Sequence, residues 1–177
     1  MRASFLLALL PLVAFADAST PDKRSAPTSF TVGDRAVTVG WGDDGEIHVR
    51  VKGGGDLLLK PAGRAYVSED GLTFHAELAA NVAPVPLLKV SSRPEACGDY
   101  WDIYVSVVDG VAREALALYG LADPPSMSSS TAKFAGDTVV VTTRTAEDET
   151  HTRTKRTRYR WNGTVYVESK QAPAKSK

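Results

Sequence analysis

From Thr28 to Glu168 the chain is a succession of short runs in which apolar and polar residues alternate, many of them cut by a Gly-Asp, Asp-Gly or Asn-Gly pair. A period of two puts every second side chain on one face of an extended backbone. The dipeptides supply the positive φ that tight reversals need. The pattern specifies an all-β fold: an antiparallel meander of about ten to twelve short strands, forming a sandwich or a partly closed barrel.

The registers follow from keeping apolar residues on a common face. With Gly33-Asp34 as a two-residue turn, Gly first, Phe30 faces Val37. A five-residue loop from Gly42 to Glu46 sets Trp41 beside Ile47, Val39 beside Val49 and Val37 beside Val51. A four-residue loop would oppose Val39 to His48 and mix the faces. The Glu69-Asp70-Gly71 loop brings Tyr66 across from Phe74 as an aromatic cross-strand pair. Asn162-Gly163, read as a two-residue turn, makes Trp161 oppose Thr164, Tyr159 oppose Tyr166 and Arg158 oppose Val167.

One segment admits two readings. Tyr100–Val108 alternates well, with Trp101, Ile103, Val105 and Val107 on one face. A two-residue Asp109-Gly110 turn then lands Glu114 opposite Val105, on that apolar face, and a β-bulge would correct the register. Alternatively, residues 111–119 form one short helix ended by Gly120, since Ala and Leu favour helix. The strand with a bulge is the reading adopted.

Outside the alternating region the chain changes character. Arg2, the apolar stretch Phe5–Val13 and the small-x-small sequence Ala16-Asp17-Ala18 have the layout of a secretory signal peptide over 1–18, cleaved after Ala18. The apolar stretch is about half the roughly 20 residues that a membrane-spanning helix needs. Residues 19–27 read as a flexible, Pro-bearing linker, 28–169 as a single β domain and 170–177 as a disordered tail. The expected location is therefore secreted or periplasmic, with no transmembrane segment after cleavage. Lys+Arg and Asp+Glu both number 21, and loss of Arg2 and Asp17 with the leader keeps the balance, so no basic excess points to nucleic acid. Cys97 is the single cysteine, which excludes an intrachain disulfide; it is either a buried apolar residue or the donor of an intermolecular disulfide.

The motifs of common catalytic machinery are absent: no G-x-S-x-G, H-E-x-x-H, paired C-x-x-C or phosphate-cradling G-x-x-x-x-G-K occurs. Ser130-Thr131-Ala132-Lys133 matches S-x-x-K, but leads into a strand rather than a helix and lacks its S-D-N and K-T-G partners. His48, His75 and His151 are far apart, without ligands at metal-binding spacing, and no cofactor or metal is expected. Glu95, Asp99 and Asp102 are the best carboxylate group and the basis for the alternative of a small secreted hydrolase.

Two groups remain as candidate binding residues. Tyr100, Asp102 and Tyr104 share the strand face opposite Trp101 and Ile103. There they either stack on a sugar ring while the acid takes its hydroxyls, or pack beneath a neighbouring segment. Arg156, Arg158 and Arg160 alternate with Tyr159 and Trp161, so three guanidiniums line one face and grip an anionic polymer, or lay their stems over apolar neighbours such as Val165 and Val167. The sequence thus points to an exported, non-enzymatic binding or structural protein of the cell envelope or extracellular space, with envelope polysaccharide or another exported protein as partner. Mass spectrometry of the processed chain is expected to find Ser19 as its first residue; a chain retaining Met1 would remove the exported assignment.

Overall fold

The computed structural model describes residues 26–43, 46–60, 74–79, 84–92, 98–123, 126–146 and 151–169. The leader, the linker to residue 25, the tail from residue 170, the Tyr66 side of the proposed Tyr66–Phe74 pair, Glu95 and Cys97 lie outside them. Four strands, β1 (Thr28–Val32), β2 (Arg35–Trp41), β3 (Ile47–Val51) and β4 (Asp56–Leu59), form one antiparallel sheet in chain order. Eight more form the other, again in chain order: β5 (Phe74–Ala79), β6 (Leu87–Ser92), β7 (Asp99–Val108), β8 (Val111–Asp123), β9 (Ser126–Ala135), β10 (Thr138–Ala146), β11 (Thr152–Trp161) and β12 (Tyr166–Glu168). The sheets stack as a sandwich and neither closes into a barrel. Among the described residues there is no helix, hence none long and apolar enough to cross a membrane.

The first sheet follows the alternation residue by residue. Phe30 pairs with Val37 across Gly33, whose φ of 63° opens the turn, and Trp41, Val39 and Val37 pair with Ile47, Val49 and Val51. Gly42 N–H donates to Glu46 O at 2.8 Å and closes the loop that sets this register. The inward residues Val37, Val39, Ile47, Val49, Val51 and Leu59 pack on Leu88, Val90, Trp101, Ile103 and Val105 of β6 and β7. Trp41 meets Phe74 edge-on, with ring centroids 5.6 Å apart. Burying side chains of this size contributes about 1.5–3 kcal/mol each, which makes this shared interior the main cohesive element of the sandwich.

Strand β8 takes the place of the helix considered for residues 111–119. Asp109 and Gly110 both have positive φ, 54° and 75°, as a two-residue hairpin turn of matching twist requires. Val105 does pair with Glu114, and the next pair is Tyr104 with Leu116, so Ala115 is the extra residue of a bulge. The bulge switches which residues of β8 face the first sheet: Ala112 before it, Ala117 and Tyr119 after it. Glu114 stays exposed at the kink, although partial desolvation pushes its carboxyl above the ordinary value.

The far face of β6–β8 is covered as well. Strands β8 and β9 share only three pairs, Leu121–Ser128, Ala122–Met127 and Asp123–Ser126. Beyond them the remaining strands turn over the sheet, and Val139, Val141 and Tyr166 pack on Leu87, Tyr104, Ala115, Leu116 and Leu118. Ser128 fixes the departure point: its hydroxyl accepts from Leu121 N–H at 3.1 Å and its carbonyl accepts from Tyr100 O–H at 2.8 Å. Further along, the fully buried Ser106 of β7 donates to Thr164 O at 2.6 Å. The result is three layers, β1–β4, β5–β8 and β9–β12, with two apolar interiors.

The last hairpin corrects the sequence reading. Trp161 pairs with Tyr166, Arg160 with Val167 and Tyr159 with Glu168, two residues out of the expected register. The Asn162 side chain is the cause: its Oδ1 accepts from the backbone N–H of Thr164 and of Val165, each at 3.0 Å, and from the Thr164 hydroxyl at 3.1 Å. Those bonds close a four-residue loop over Asn162–Val165, inside which Asn162 N–H donates to Val165 O at 3.1 Å. A shift of two preserves the faces, so the aromatic residues still point inward.

Buried Gly120 pairs with Tyr100, and the tyrosine ring lies where a Cβ on residue 120 would project. Gly120→Ala displaces that ring together with its bond to Ser128 O. The expected cost is about 2 kcal/mol of unfolding free energy in a denaturant titration; an unchanged midpoint would contradict this packing.

Candidate functional site

Strand β11 owes its two faces to its own alternation. Thr157, Tyr159 and Trp161 turn toward β7, where Trp161 meets Tyr166 edge-on at 5.2 Å and Tyr159 joins the second apolar interior. Arg156, Arg158 and Arg160 therefore project from the outer face of the third layer, and all three are exposed. Val165 belongs to the Asn162 loop and Val167 to β12, and of the two only Val167 is paired opposite an arginine, Arg160.

Neighbouring strands extend that face. Register places Ser129, Arg144 and Thr154 in one transverse row, Thr131, Thr142 and Arg156 in the next, and Lys133, Val140 and Arg158 in the third. A fourth row holds Ala135, Thr138, Arg160 and Val167. Successive rows are about 7 Å apart and adjacent strands about 5 Å apart. Lys133, Arg144, Arg156 and Arg158 are exposed and form no ion pair with any described residue, and no acidic side chain occupies the first three rows.

Arg160 differs from the others. Its Nε donates to Asp137 Oδ2 at 2.9 Å, and the Thr138 hydroxyl donates to Asp137 Oδ1 at 3.2 Å. The Arg160 bond first, and then the Thr138 bond, hold the Asp137 carboxyl below the ordinary carboxylate range. The hairpin tip is thus a neutralised end to a positively charged track.

Tyr100, Asp102 and Tyr104 occupy the opposite side of the third layer, in the space between it and β5–β8. Tyr104 is 9% exposed and packs edge-on against Phe134 at 5.0 Å, while Asp102 is 8% exposed. Lys89 Nζ lies 3.8 Å from Asp102 Oδ1 and 3.2 Å from Glu77 Oε1, so the buried acid has a compensating cation. This face is covered by β9–β12, in line with the reading that packs these residues beneath a neighbouring segment, and the three form no common site with the arginines.

The catalytic alternatives separate in the same way. Asp99 and Asp102 are three apart on one strand and point to opposite faces, and Glu95 lies outside the described residues. Ser130 and Lys133 are likewise divided: Ser130 bonds the Thr143 hydroxyl at 3.0 Å on the inner side, and Lys133 stands outside. His48 Nδ1 is 2.9 Å from Asp56 Oδ2 on the outer face of the first sheet, where Arg50 Nε also approaches that oxygen at 3.4 Å. His151 sits just ahead of β11 rather than within a strand.

No family model, curated protein or solved structure matches this chain. The site therefore rests on its own geometry.

Lys133 and Arg144 belong to the cationic face but were not singled out with Arg156 and Arg158 in the sequence. Gly136-Asp137 is a turn signal of the same kind as Gly33-Asp34, and pairing Ala135 with Thr138 across it aligns Lys133 with Val140. Replacing Arg160 by Gln removes the principal partner of Asp137. The carboxyl then titrates at higher pH by NMR, toward the ordinary aspartate value. Because the folded-state value is depressed, the stabilisation from this pair is present above the unfolded aspartate pKa and is lost as pH falls through the folded one. An unmoved Asp137 titration in Arg160→Gln would show that the pair does not form.

Proposed function

We propose that this chain is an exported, non-enzymatic binding protein that holds an anionic polymer of the cell envelope or extracellular space on the outer face of β9–β11. The observation that carries the reading is a set of four exposed cations, Lys133, Arg144, Arg156 and Arg158, without ion-pair partners among the described residues. They are gathered on three adjacent strands of a chain that is neutral as a whole. A rigid sheet holds such groups in fixed relation, so a polyanion meets them without ordering a loop. Exposed cations are well hydrated and each adds little alone, so the face suits a repeating ligand that engages several at once. The leader-like residues 1–18 support an exported setting.

The processed protein is expected to be retained on isolated envelope polysaccharide at low salt and released as salt rises. Arg156→Ala with Arg158→Ala lowers affinity at least tenfold and reduces the slope of log K against log salt by about 1.4, since each lost anion contact removes about 0.7. Circular dichroism of the double variant stays that of the parent, because both side chains are exposed. Absence of retention on every envelope fraction would overturn the reading.

A further inference from the structure

The same face selects its ligand by spacing as well as by charge, a reading that rests on the binding role just proposed. Each of the first three rows bears at least one cation without an ion-pair partner among the described residues: Arg144, then Arg156, then Arg158 together with Lys133. Rows repeat every second residue, so Arg156 and Arg158 follow each other at about 7 Å on β11, and Arg144 on neighbouring β10 stands one row further along and about 5 Å to the side. A ligand that satisfies all three rows needs one anionic group per step of about that length. The backbone itself provides a ruler: three bonds span about 3.8 Å, so six bonds span about 7 Å. A phosphodiester chain with three-carbon units has six bonds from one phosphorus to the next. Guanidinium forks match phosphate oxygens in pairs, and the hydroxyls of Ser129, Thr131, Thr142 and Thr154 stand in the first two rows beside the cations.

The aromatic residues exclude the other common phosphodiester. Phe134, Tyr159 and Trp161 all turn inward to the apolar interior, and the four outer rows contain no aromatic side chain. Single-stranded nucleic acid draws affinity from bases stacked on aromatic platforms, and this face has none. We infer that the outer face of β9–β11 is a track for a linear polyol phosphate with three-carbon repeats, laid along the strands with successive phosphates at Arg144, Arg156 and Arg158, and ending where Asp137 neutralises Arg160.

Calorimetry with the processed protein tests this with synthetic tetramers at one ionic strength: a glycerol phosphate chain, a longer-spaced ribitol phosphate chain, an oligogalacturonate and an oligothymidylate. The glycerol phosphate tetramer is expected to bind at least tenfold more tightly than the other three, with affinity rising from monomer to trimer and then levelling. Arg156→Gln and Arg158→Gln each weaken it at least fivefold. Lys155→Gln, on the same strand but of the opposite alternation, leaves it unchanged. Equal affinity for the four tetramers, tighter binding of any of the other three, or an equal loss in Lys155→Gln would overturn the inference. Retention on envelope polysaccharide without glycerol phosphate binding removes this ligand and keeps the binding role, whereas loss of both removes the two together.

Discussion

Double-sided burial of β7 is the constraint from which the remaining architecture derives. Six successive residues, Trp101–Ser106, are buried, so the strand has no solvent face in its middle. Odd residues supply the interior shared with the first sheet, and even residues supply the one shared with β9–β12. Tertiary cohesion here is therefore apolar contact on two fronts. Of the polar groups that enter, Ser106 is met by Thr164 O, Tyr100 by Ser128 O and Asp102 by the ammonium of Lys89, whereas the buried Tyr166 hydroxyl has no hydrogen-bond partner among the described residues.

The same double-sidedness marks where sequence patterning stops being informative. The first sheet has one inner face, and alternation alone placed Phe30, Val37, Val39, Val49 and Trp41 in their observed pairs. The placement of Glu114 opposite Val105 was legible too, and the bulge at Ala115 shifts the register only beyond that pair. For Tyr100, Asp102 and Tyr104 the sequence offered both an open sugar-binding face and packing beneath a neighbouring segment, and only the partner of Asp102 and the packing of β9–β12 decide between them. The Asn162 loop misled for a different reason. A tight two-residue turn and an Asn side chain capping a wider loop use the same dipeptide, and only the hydrogen bonds from Thr164 and Val165 distinguish them.

The candidate site was half visible. Period two on β11 gives the separation of Arg156 and Arg158 from Tyr159 and Trp161 without any knowledge of neighbours. Lys133 and Arg144 join that face only through lateral register, which depends on two further hairpins being closed correctly. The division is sharpest on β11, where Tyr159 and Trp161 adhere to the body and Arg156, Arg158 and Arg160 face outward.

The order of the ladders has a kinetic meaning. Every described strand in both sheets pairs with its immediate predecessor or successor, and among the described residues no ladder joins distant parts of the chain. Loop-closure entropy is consequently met in small increments, hairpin by hairpin, and no edge has to wait exposed for a partner from the far terminus. A polypeptide arranged this way can assemble progressively, each reversal templating the next, and the three-pair junction between β8 and β9 is the seam at which the last layer turns over the inner sandwich.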